Sequence, residues 1–126
     1  MEIIIGIDPG DVTGLCIFQD GKFHGGHEFK DIHSLAKLIR VVNPQSVIAE
    51  QFTILGAKAR GDRALKMLGG VELLQDEMGF KLVYQSPSIL GVWLPKTKGL
   101  DRSPHIRSAS AHVMCYLRRE ERKSQT

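Results

Sequence analysis

The fold of this chain is decided close to its start, where residues 3–10 read Ile-Ile-Ile-Gly-Ile-Asp-Pro-Gly. The β-branched residues favour a buried strand, and the Pro9-Gly10 pair that follows Asp8 ends it sharply. We therefore expect a first strand over residues 2–8, with the Asp8 carboxylate at its carboxyl end. Because Asp8 interrupts the apolar run long before the ~20 residues that a membrane helix needs, the sequence predicts no membrane span here.

Strand and helix signals alternate along the rest of the chain. Asp20-Gly21 predicts a tight turn between antiparallel strands at 14–19 and 22–29. The remaining predicted elements are a helix over 31–42 with Asp31 as its N-cap, a strand over 46–50, a helix from about Ala57 to Met78, a strand over 81–84, a short helix over 88–93, a loop over 95–103 and a helix from Pro104 to about Arg119. This order predicts an α/β fold. Its mixed sheet has the first, fourth and fifth strands parallel, and helices cover both faces.

Length and composition indicate a single domain. The chain has 126 residues, of which 42% are hydrophobic and 25% charged, as is typical of a globular domain with one core. We expect this domain to span residues 1–126, with the charged end, residues 118–126, frayed. We expect no signal peptide, because the acidic residue Glu2 stands where a signal peptide carries basic residues. Since Cys16 and Cys115 form neither a metal motif nor a disulfide scaffold, the sequence predicts a cytoplasmic protein.

Charge is distributed unevenly, although the net charge is only +3. Up to Leu55 there are four basic and seven acidic residues, and from Gly56 onward thirteen basic and seven acidic ones. A basic half indicates that one face of the protein binds a polyanionic ligand, while the acidic half supplies carboxylates for a separate function. An ordinary solvated surface explains the same charge split, and both interpretations remain open at this point.

Two carboxylates, those of Asp8 and Glu50, each end a predicted strand directly after an apolar run. Because parallel strands end at the same side of a sheet, we expect the two side chains to meet. Convergent carboxylates repel each other unless a cation neutralises them, and a hard ion such as Mg²⁺ prefers oxygen ligands. The pattern therefore predicts a divalent metal site. For either residue alone, a solvent-exposed strand end or turn former remains the alternative.

The last predicted helix carries a polar face that we expect to point at these carboxylates. Ser103 is a good N-cap, and Pro104 occupies the favoured first helical position. His105, Ser108 and His112 follow at spacings of three and four residues, which places them on one face. Both histidines are candidates for a metal role, and for His112 the alternative is a polar residue within an otherwise packed helix.

Four segments form a pattern that is more specific than any single motif: Ile5-Gly6-Ile7-Asp8-Pro9-Gly10, Thr13-Gly14-Leu15, Val47-Ile48-Ala49-Glu50-Gln51-Phe52, and the helix segment from Ala64-Leu65-Lys66 to Gly70-Val71. Together they resemble the RuvC-type Holliday junction resolvases of the RNase H-like (retroviral integrase) superfamily. The resemblance extends from Glu2 to about Leu117. It is weakest between Ser86 and Ser103, where the chain is more similar to compact phage-encoded members. It implies an RNase H-like sheet with strand order 3-2-1-4-5.

The resemblance further implies a homodimeric endonuclease that depends on Mg²⁺ or Mn²⁺, with two ions per active site, and nicks paired strands of a four-way DNA junction. It assigns catalytic and metal-binding roles to Asp8, Glu50 and His105. Ser108 stands where the family usually has a carboxylate, and a neutral hydroxyl is a poorer ligand for a hard cation. Asp101, upstream of the helix, is a candidate substitute. A weakened or inactive protein that binds DNA junctions is the alternative function.

The resemblance also directs the basic half towards DNA. Phe52 resembles the aromatic residue that such resolvases place against bases near the crossover, and a buried core phenylalanine is the alternative. The other candidates for DNA contacts are Gln51, Lys58, Arg60, Arg63, Lys66, Lys96, Lys98, Arg102 and Arg107. For any single basic residue in this set, a solvated surface position is the simpler interpretation.

The long helix carries more apolar residues than one core stripe needs: Leu65, Met67, Leu68, Val71, Leu73 and Leu74. A dimer interface and an intramolecular core both explain the excess, and we interpret it as a dimer interface. The Asp-x-Gly-x-x-x-Gly pattern that begins at Asp8 also resembles the first phosphate loop of actin-like and sugar-kinase ATPases. Those proteins need a second phosphate motif and a second domain, so the length of 126 residues argues against them.

Overall fold

A computed structural model describes residues 1–51 and 61–125. Within these ranges the strands are β1 (Ile3–Asp8), β2 (Thr13–Gln19), β3 (Lys22–Phe29), β4 (Ser46–Glu50) and β5 (Lys81–Gln85). The helices are α1 (Ile32–Val42), α2 (Gly61–Met78), α3 (Leu90–Trp93) and α4 (Pro104–Ser124), with 3₁₀ turns at Pro87–Ile89 and Leu94–Thr97. In this described part of the chain, no helix combines the length and the apolar character needed to cross a membrane.

The five strands form one mixed sheet in the order β3-β2-β1-β4-β5, which confirms the predicted order. β1, β4 and β5 run parallel, whereas β2 is antiparallel to both β1 and β3. Ile7 pairs with Ala49, and Glu50 pairs with Gln85. Asp8, Glu50 and Gln85 therefore end their strands side by side at the same edge of the sheet.

Strand alternation sends these three side chains to one face of the sheet. Ile4 in β1 and Ile48 in β4 pack in the apolar cluster that α4 covers. Asp8 and Glu50 lie an even number of residues further along their strands and project to the same side. Gln85 lies on that side as well, because residues paired across neighbouring strands share a face.

α4 packs closely against β1 and β2 because glycines face it. A Cβ atom on Gly6 would lie 2.5 Å from the carbonyl oxygen of Ala109, and one on Gly14 would collide with the backbone of His105. Without side chains at these two positions, the helix approaches the strand backbones directly. This close approach brings the first turns of α4 to the strand ends that carry the carboxylates.

α1 and α2 cover the opposite face of the sheet. α1 begins at the predicted cap, where Asp31 Oδ1 accepts a hydrogen bond from Ser34 N at 2.9 Å. Leu65 and Leu73 of α2 are exposed, with 38% and 72% of their surface accessible. The other four residues of the predicted apolar excess are buried in the cluster on this side: Met67, Leu68, Val71 and Leu74. Most of the apolar excess of α2 thus belongs to the intramolecular core.

The segment between β5 and α4 differs from the prediction of one short helix over 88–93 followed by a loop over 95–103. It begins as a 3₁₀ turn at Pro87–Ile89, continues as the four-residue α3, and ends in a second 3₁₀ turn at Leu94–Thr97. Proline accounts for the interruption, because Pro95 has the φ angle of a turn but no N–H group to extend an α-helix. Thr97 Oγ1 donates to the Leu94 carbonyl oxygen at 2.7 Å and stabilises the second turn.

α4 continues to Ser124, beyond its predicted end near Arg119. Opposite charges at helical spacing support its last turns, because Arg118 contacts Glu121 and Lys123 contacts Glu120, each at 3.2 Å. Fraying of residues 118–126 in solution stays a prediction. The predicted start of the long helix near Ala57 lies outside the described residues.

Candidate active site at the carboxyl ends of the strands

Asp8 and Glu50 meet at the strand ends. Burial, the negative charge of Glu50 and a hydrogen bond with Glu50 together raise the pKa of Asp8 from 3.8 to about 7, while a hydrogen bond with Ser108 acts in the opposite direction. Two carboxylates in so poorly solvated a site repel each other strongly, so that they share a proton or need a cation. The site thus holds a negative charge that Asp8 and Glu50 cannot neutralise by themselves.

Two successive turns of α4 each contact one of these carboxylates. Ser108 hydrogen-bonds Asp8, and His112 Nε2 lies 3.1 Å from Glu50 Oε1. The spacing of four residues places both side chains on the helix face that is directed at the sheet. The His112 side chain is fully buried, whereas 16% of the Glu50 side chain is exposed. Glu50 therefore has a buried side, which faces the helix, and an open side.

Gln85, at the end of β5, contacts His112 on the side away from Glu50. Its Nε2 atom lies 3.1 Å from His112 Nδ1 and 2.8 Å from the His112 carbonyl oxygen. Its Oε1 atom accepts a hydrogen bond from Arg119 Nη1 at 3.5 Å, and its backbone oxygen accepts one from Gln51 N at 2.7 Å. A chain of hydrogen bonds therefore connects the ends of β5 and β4 through α4.

Two further predicted ligands, Asp101 and His105, lie around the start of α4. Asp101 Oδ1 accepts a hydrogen bond from Ser103 N at 2.9 Å, and Ser103 Oγ donates to Glu28 Oε2 at 2.8 Å. Asp101 therefore stabilises the turn before the helix rather than the carboxylate pair. His105 lies one turn before Ser108 on the same helix face and is half-buried. The metal roles of Asp101 and His105 stay predictions.

The chemistry of the assembled donors fits a hard cation. In the ranges 1–51 and 61–125 there is no group of three or more His, Cys, Asp and Glu residues that could hold a metal ion. The structure instead brings together the carboxylates of Asp8 and Glu50 and the hydroxyl of Ser108. Mg²⁺ is commonly held by one or two carboxylates, with waters and substrate phosphate oxygens completing its octahedron. These donors fit one such ion, and the expectation of two ions rests on the resemblance alone.

Three of the predicted DNA contacts, Phe52, Lys58 and Arg60, lie outside the described residues. Arg63, on α2, donates from Nη1 to the carbonyl oxygen of Asp11 at 3.3 Å. This contact places its guanidinium group beside the loop that follows Asp8.

The other predicted DNA contacts are spread over the α2 and α4 sides. Lys96 Nζ lies 4.5 Å from the centre of the Trp93 ring, within the range of a cation–π interaction. Arg107 is half-buried, and its Nε atom has no hydrogen-bond partner within the described part of the chain. The remaining side chains in this set are exposed: Gln51, Lys66, Lys98 and Arg102.

Sequence reasoning did not single out Gln85, and it left His112 between a metal role and a structural one. Two signals were present. Gln85 is a polar residue directly after a short apolar strand, as Glu50 is, and the two strands were predicted to be parallel. His112 follows Ser108 at a spacing of four residues, so a helix that brings Ser108 to one carboxylate brings His112 to the same edge of the sheet.

No protein-family model matches this sequence, and no curated protein matches it significantly. The structure, in contrast, is similar to solved junction resolvases. Thermus thermophilus RuvC aligns with a TM-score of 0.74 at 19% identity, over 94% of this chain and 96% of that chain. The T. thermophilus RuvC complex with a Holliday junction substrate aligns with a TM-score of 0.73 at 18% identity, over 90% and 91% of the two chains. The chain has the RuvC-type resolvase fold.

The RuvC-type fold is also seen in a viral enzyme. A fowlpox virus resolvase, solved with substrate Holliday junction DNA, aligns with a TM-score of 0.65 at 13% identity, over 93% of this chain and 97% of that chain. The RuvC-type fold thus accounts for nearly the whole described chain, including the strand ends that carry Asp8 and Glu50.

Proposed function

We propose that this chain is a divalent-metal-dependent endonuclease that resolves four-way or branched DNA junctions. The observation that carries the proposal is the pair of repelling carboxylates, Asp8 and Glu50, at the strand ends of a RuvC-type fold. Structures with this fold include two that were solved with Holliday junction DNA. A divalent cation would balance the negative charge of such a site and would bind the phosphate oxygens of a substrate.

Hydrolysis of a phosphodiester needs an activated water and a stabilised leaving alkoxide. Bound Mg²⁺ or Mn²⁺, two ions in this proposal, would polarise the phosphate and lower the pKa of a bound water. Asp8 and Glu50 would hold the ions through their carboxylate oxygens, and Glu50 would also orient the attacking water. His105 would provide a further ligand or move a proton at the phosphate. The Ser108 hydroxyl holds Asp8 through its hydrogen bond.

The basic residues bind the phosphate backbone in this proposal, and each phosphate that they neutralise adds a salt-dependent increment to affinity. Phe52 and Gln51, directly after Glu50, approach the bases near the cut. A four-way junction offers two symmetric cutting positions, so the active form is a homodimer, and the exposed Leu73 of α2 is a candidate contact between the two copies.

Cys16 and Cys115 are buried free thiols, which fits the reducing cytoplasm of a bacterial or phage-infected cell.

A weakened or inactive junction-binding protein is the second candidate, and Ser108 favours it. The Ser108 hydroxyl hydrogen-bonds Asp8 but adds no negative charge, so the site holds a divalent cation less tightly than a third carboxylate would. This candidate keeps the DNA-binding surface and loses or reduces hydrolysis.

Cleavage of a synthetic four-way junction tests the proposed function. We expect wild-type protein to nick the junction symmetrically in the presence of Mg²⁺ or Mn²⁺ and to leave linear duplex DNA uncut. Addition of a chelator should abolish the nicking. Asp8→Asn should lower the nicking rate by more than about 100-fold, since even outer-shell partners of metal ligands contribute 10–100-fold, and should leave junction binding intact. Asp11→Asn, the same change in the exposed loop, is the matched control. Undiminished nicking by Asp8→Asn would exclude the proposed site.

Ser108→Asp distinguishes the two candidates. If the chain is an active nuclease, this substitution should raise the nicking rate, most clearly at low Mg²⁺ concentration, because a third carboxylate strengthens metal binding. If wild-type protein only binds junctions, the same substitution should create nicking. Loss of nicking relative to an active wild type would show that position 108 is not a ligand position.

A further inference from the structure

The proposed hydrolysis assigns no role to the buried pair formed by His112 and Gln85. Both side chains are shielded from solvent, His112 completely and Gln85 to 4% exposure. Burial of such polar groups is unfavourable unless their hydrogen bonds are satisfied. Each donor and acceptor of this pair faces a partner, and the outermost partner is the candidate ligand Glu50.

The hydrogen bonds define the orientation of the Gln85 amide. The carbonyl oxygen of His112 can only accept a hydrogen bond, and the Gln85 atom 2.8 Å from it must therefore be the nitrogen. The other end of the amide lies 3.5 Å from Arg119 Nη1. Because a guanidinium nitrogen can only donate a hydrogen bond, this end of the amide must be the oxygen. Both neighbours thus place Nε2 of Gln85 against the imidazole of His112.

The amide orientation in turn defines the tautomer of His112. Gln85 Nε2 lies 3.1 Å from His112 Nδ1. A proton on Nδ1 would set two donors against each other, so Nδ1 is the acceptor and the proton sits on Nε2. Nε2 lies 3.1 Å from Glu50 Oε1, to which it donates. The direction of donation is therefore Gln85 to His112 to Glu50.

We propose that His112 and Gln85 are positioning residues that hold Glu50 in one orientation, with Oε1 bound to the imidazole and Oε2 free for a divalent cation. The inference rests on the proposed function in one respect, because it takes Glu50 as a metal ligand. Gln85 acts through His112 by selecting the Nε2–H tautomer, and His112 acts through Glu50. Neither residue touches the metal or the DNA.

The arrangement serves the more flexible of the two carboxylate ligands. Asp8 is held by its hydrogen bond with Ser108 and by burial, whereas Glu50 has a longer side chain with more rotatable bonds. A carboxylate that is already oriented loses less conformational freedom when it binds an ion, and outer-shell hydrogen bonds of this kind change metal affinity by about 10–100-fold. A histidine that only fills the core would be replaceable by an apolar residue of similar size.

Mn²⁺ binding to the whole protein without DNA, measured by isothermal titration calorimetry, tests the role of His112. His112→Leu fills the same space without a donor and should weaken Mn²⁺ binding by about 10–100-fold. His112→Gln carries an amide N–H near the position of Nε2 and should restore most of the affinity. Ser110→Ala, which removes another buried polar group of α4, should bind Mn²⁺ as wild type does. Wild-type affinity in folded His112→Leu, or no rescue by His112→Gln, would overturn the inference.

A tautomer measurement keeps the inference testable if His112→Leu fails to fold. Long-range ¹H–¹⁵N correlation spectra of the metal-free wild type should show the proton of His112 on Nε2. Gln85→Met has a similar size but lacks the amide donor, so it should populate both tautomers and weaken Mn²⁺ binding. A wild-type proton on Nδ1 would overturn the inference. If wild type binds Mn²⁺ as described but never nicks junctions, the proposed function fails and the positioning role stands.

Discussion

The two faces of the sheet are built from different kinds of residues. On one face, α1 and α2 bury an apolar cluster that includes Leu35 and Val71. On the other face, α4 buries apolar residues such as Ile106 together with polar ones. The buried polar residues of α4 are Ser108, Ser110 and His112. Because buried polar groups stabilise a fold less than apolar ones do, the first face supports the fold, whereas the α4 face also holds the strand-end carboxylates.

Leu35→Ala tests this division with the largest expected effect. The substitution should lower the free energy of unfolding by about 2–5 kcal/mol, because Leu35 is fully buried and its removal leaves a cavity. Mn²⁺ affinity and the nicking rate per folded molecule should not change. Urea unfolding followed by circular dichroism measures the stability.

Ile106→Ala is the matched variant on the α4 face. Ile106 packs against the sheet two residues before Ser108, so its loss should cost a similar free energy and should also weaken Mn²⁺ binding. If both variants changed Mn²⁺ affinity equally, the two faces would not differ in function as described.

Asp8→Asn should stabilise the metal-free protein at pH 8. The pKa of Asp8 is raised from 3.8 to about 7 in the folded state, so folding takes up a proton between these pH values and wild-type stability falls as the pH rises through about 7. Removal of the charge should therefore raise the free energy of unfolding at pH 8 by about 1–4 kcal/mol. At pH 5 the difference should be smaller, because Asp8 is then protonated in the folded state, and it should vanish only below about pH 4, where Asp8 of the unfolded chain is protonated as well.

Thermal unfolding at pH 5 and pH 8 in the presence of a chelator measures this difference. Mg²⁺ should raise the Tm of wild-type protein at pH 8 and should leave Asp8→Asn nearly unchanged. Equal or lower stability of Asp8→Asn at pH 8 would contradict the charge repulsion between Asp8 and Glu50.

A pair of glycine substitutions gives the smallest expected effects and opposite signs. Gly6→Ala should lower the free energy of unfolding by about 1–3 kcal/mol, because the new Cβ would press on the Ala109 backbone, and it should weaken Mn²⁺ binding as α4 moves. Gly69→Ala on α2 meets open space and should raise stability by about 0.5–1 kcal/mol. Chemical unfolding and calorimetry measure both effects. Unchanged Mn²⁺ affinity in Gly6→Ala would show that the site does not depend on the close packing of α4.

Local patterns were sufficient for much of the fold. The Asp20-Gly21 turn and the alternating β and α signals predicted the strand directions that the structure shows, whereas the strand order 3-2-1-4-5, which the structure confirms, was predicted from the family resemblance. Asp8 and Glu50 were predicted to meet because each ends an apolar run, and parallel strands end together. The predictions were less accurate for residues 87–97, where proline geometry determines the local structure. They were also less accurate for the end of α4, where exposed charge pairs rather than an apolar pattern extend the helix.

The partners of the two carboxylates could not be predicted in the same way. Gln85 and His112 are 27 residues apart, and their contact depends on the register of β5 and on the rotation of α4 about its own axis. The period of a helix states which residues share a face, but not which neighbour that face will meet.

Turn residues, strand alternation and helical periods act over a few residues, so the amino-acid sequence was enough for the order of elements, the directions of the strands and the edge where the carboxylates lie. The packing of α4 against Gly6 and Gly14 is a contact between distant segments. It sets the helix close enough for Ser108 to reach Asp8 and for His112 to reach Glu50, and such a distance exists only once the sheet and helix have packed together.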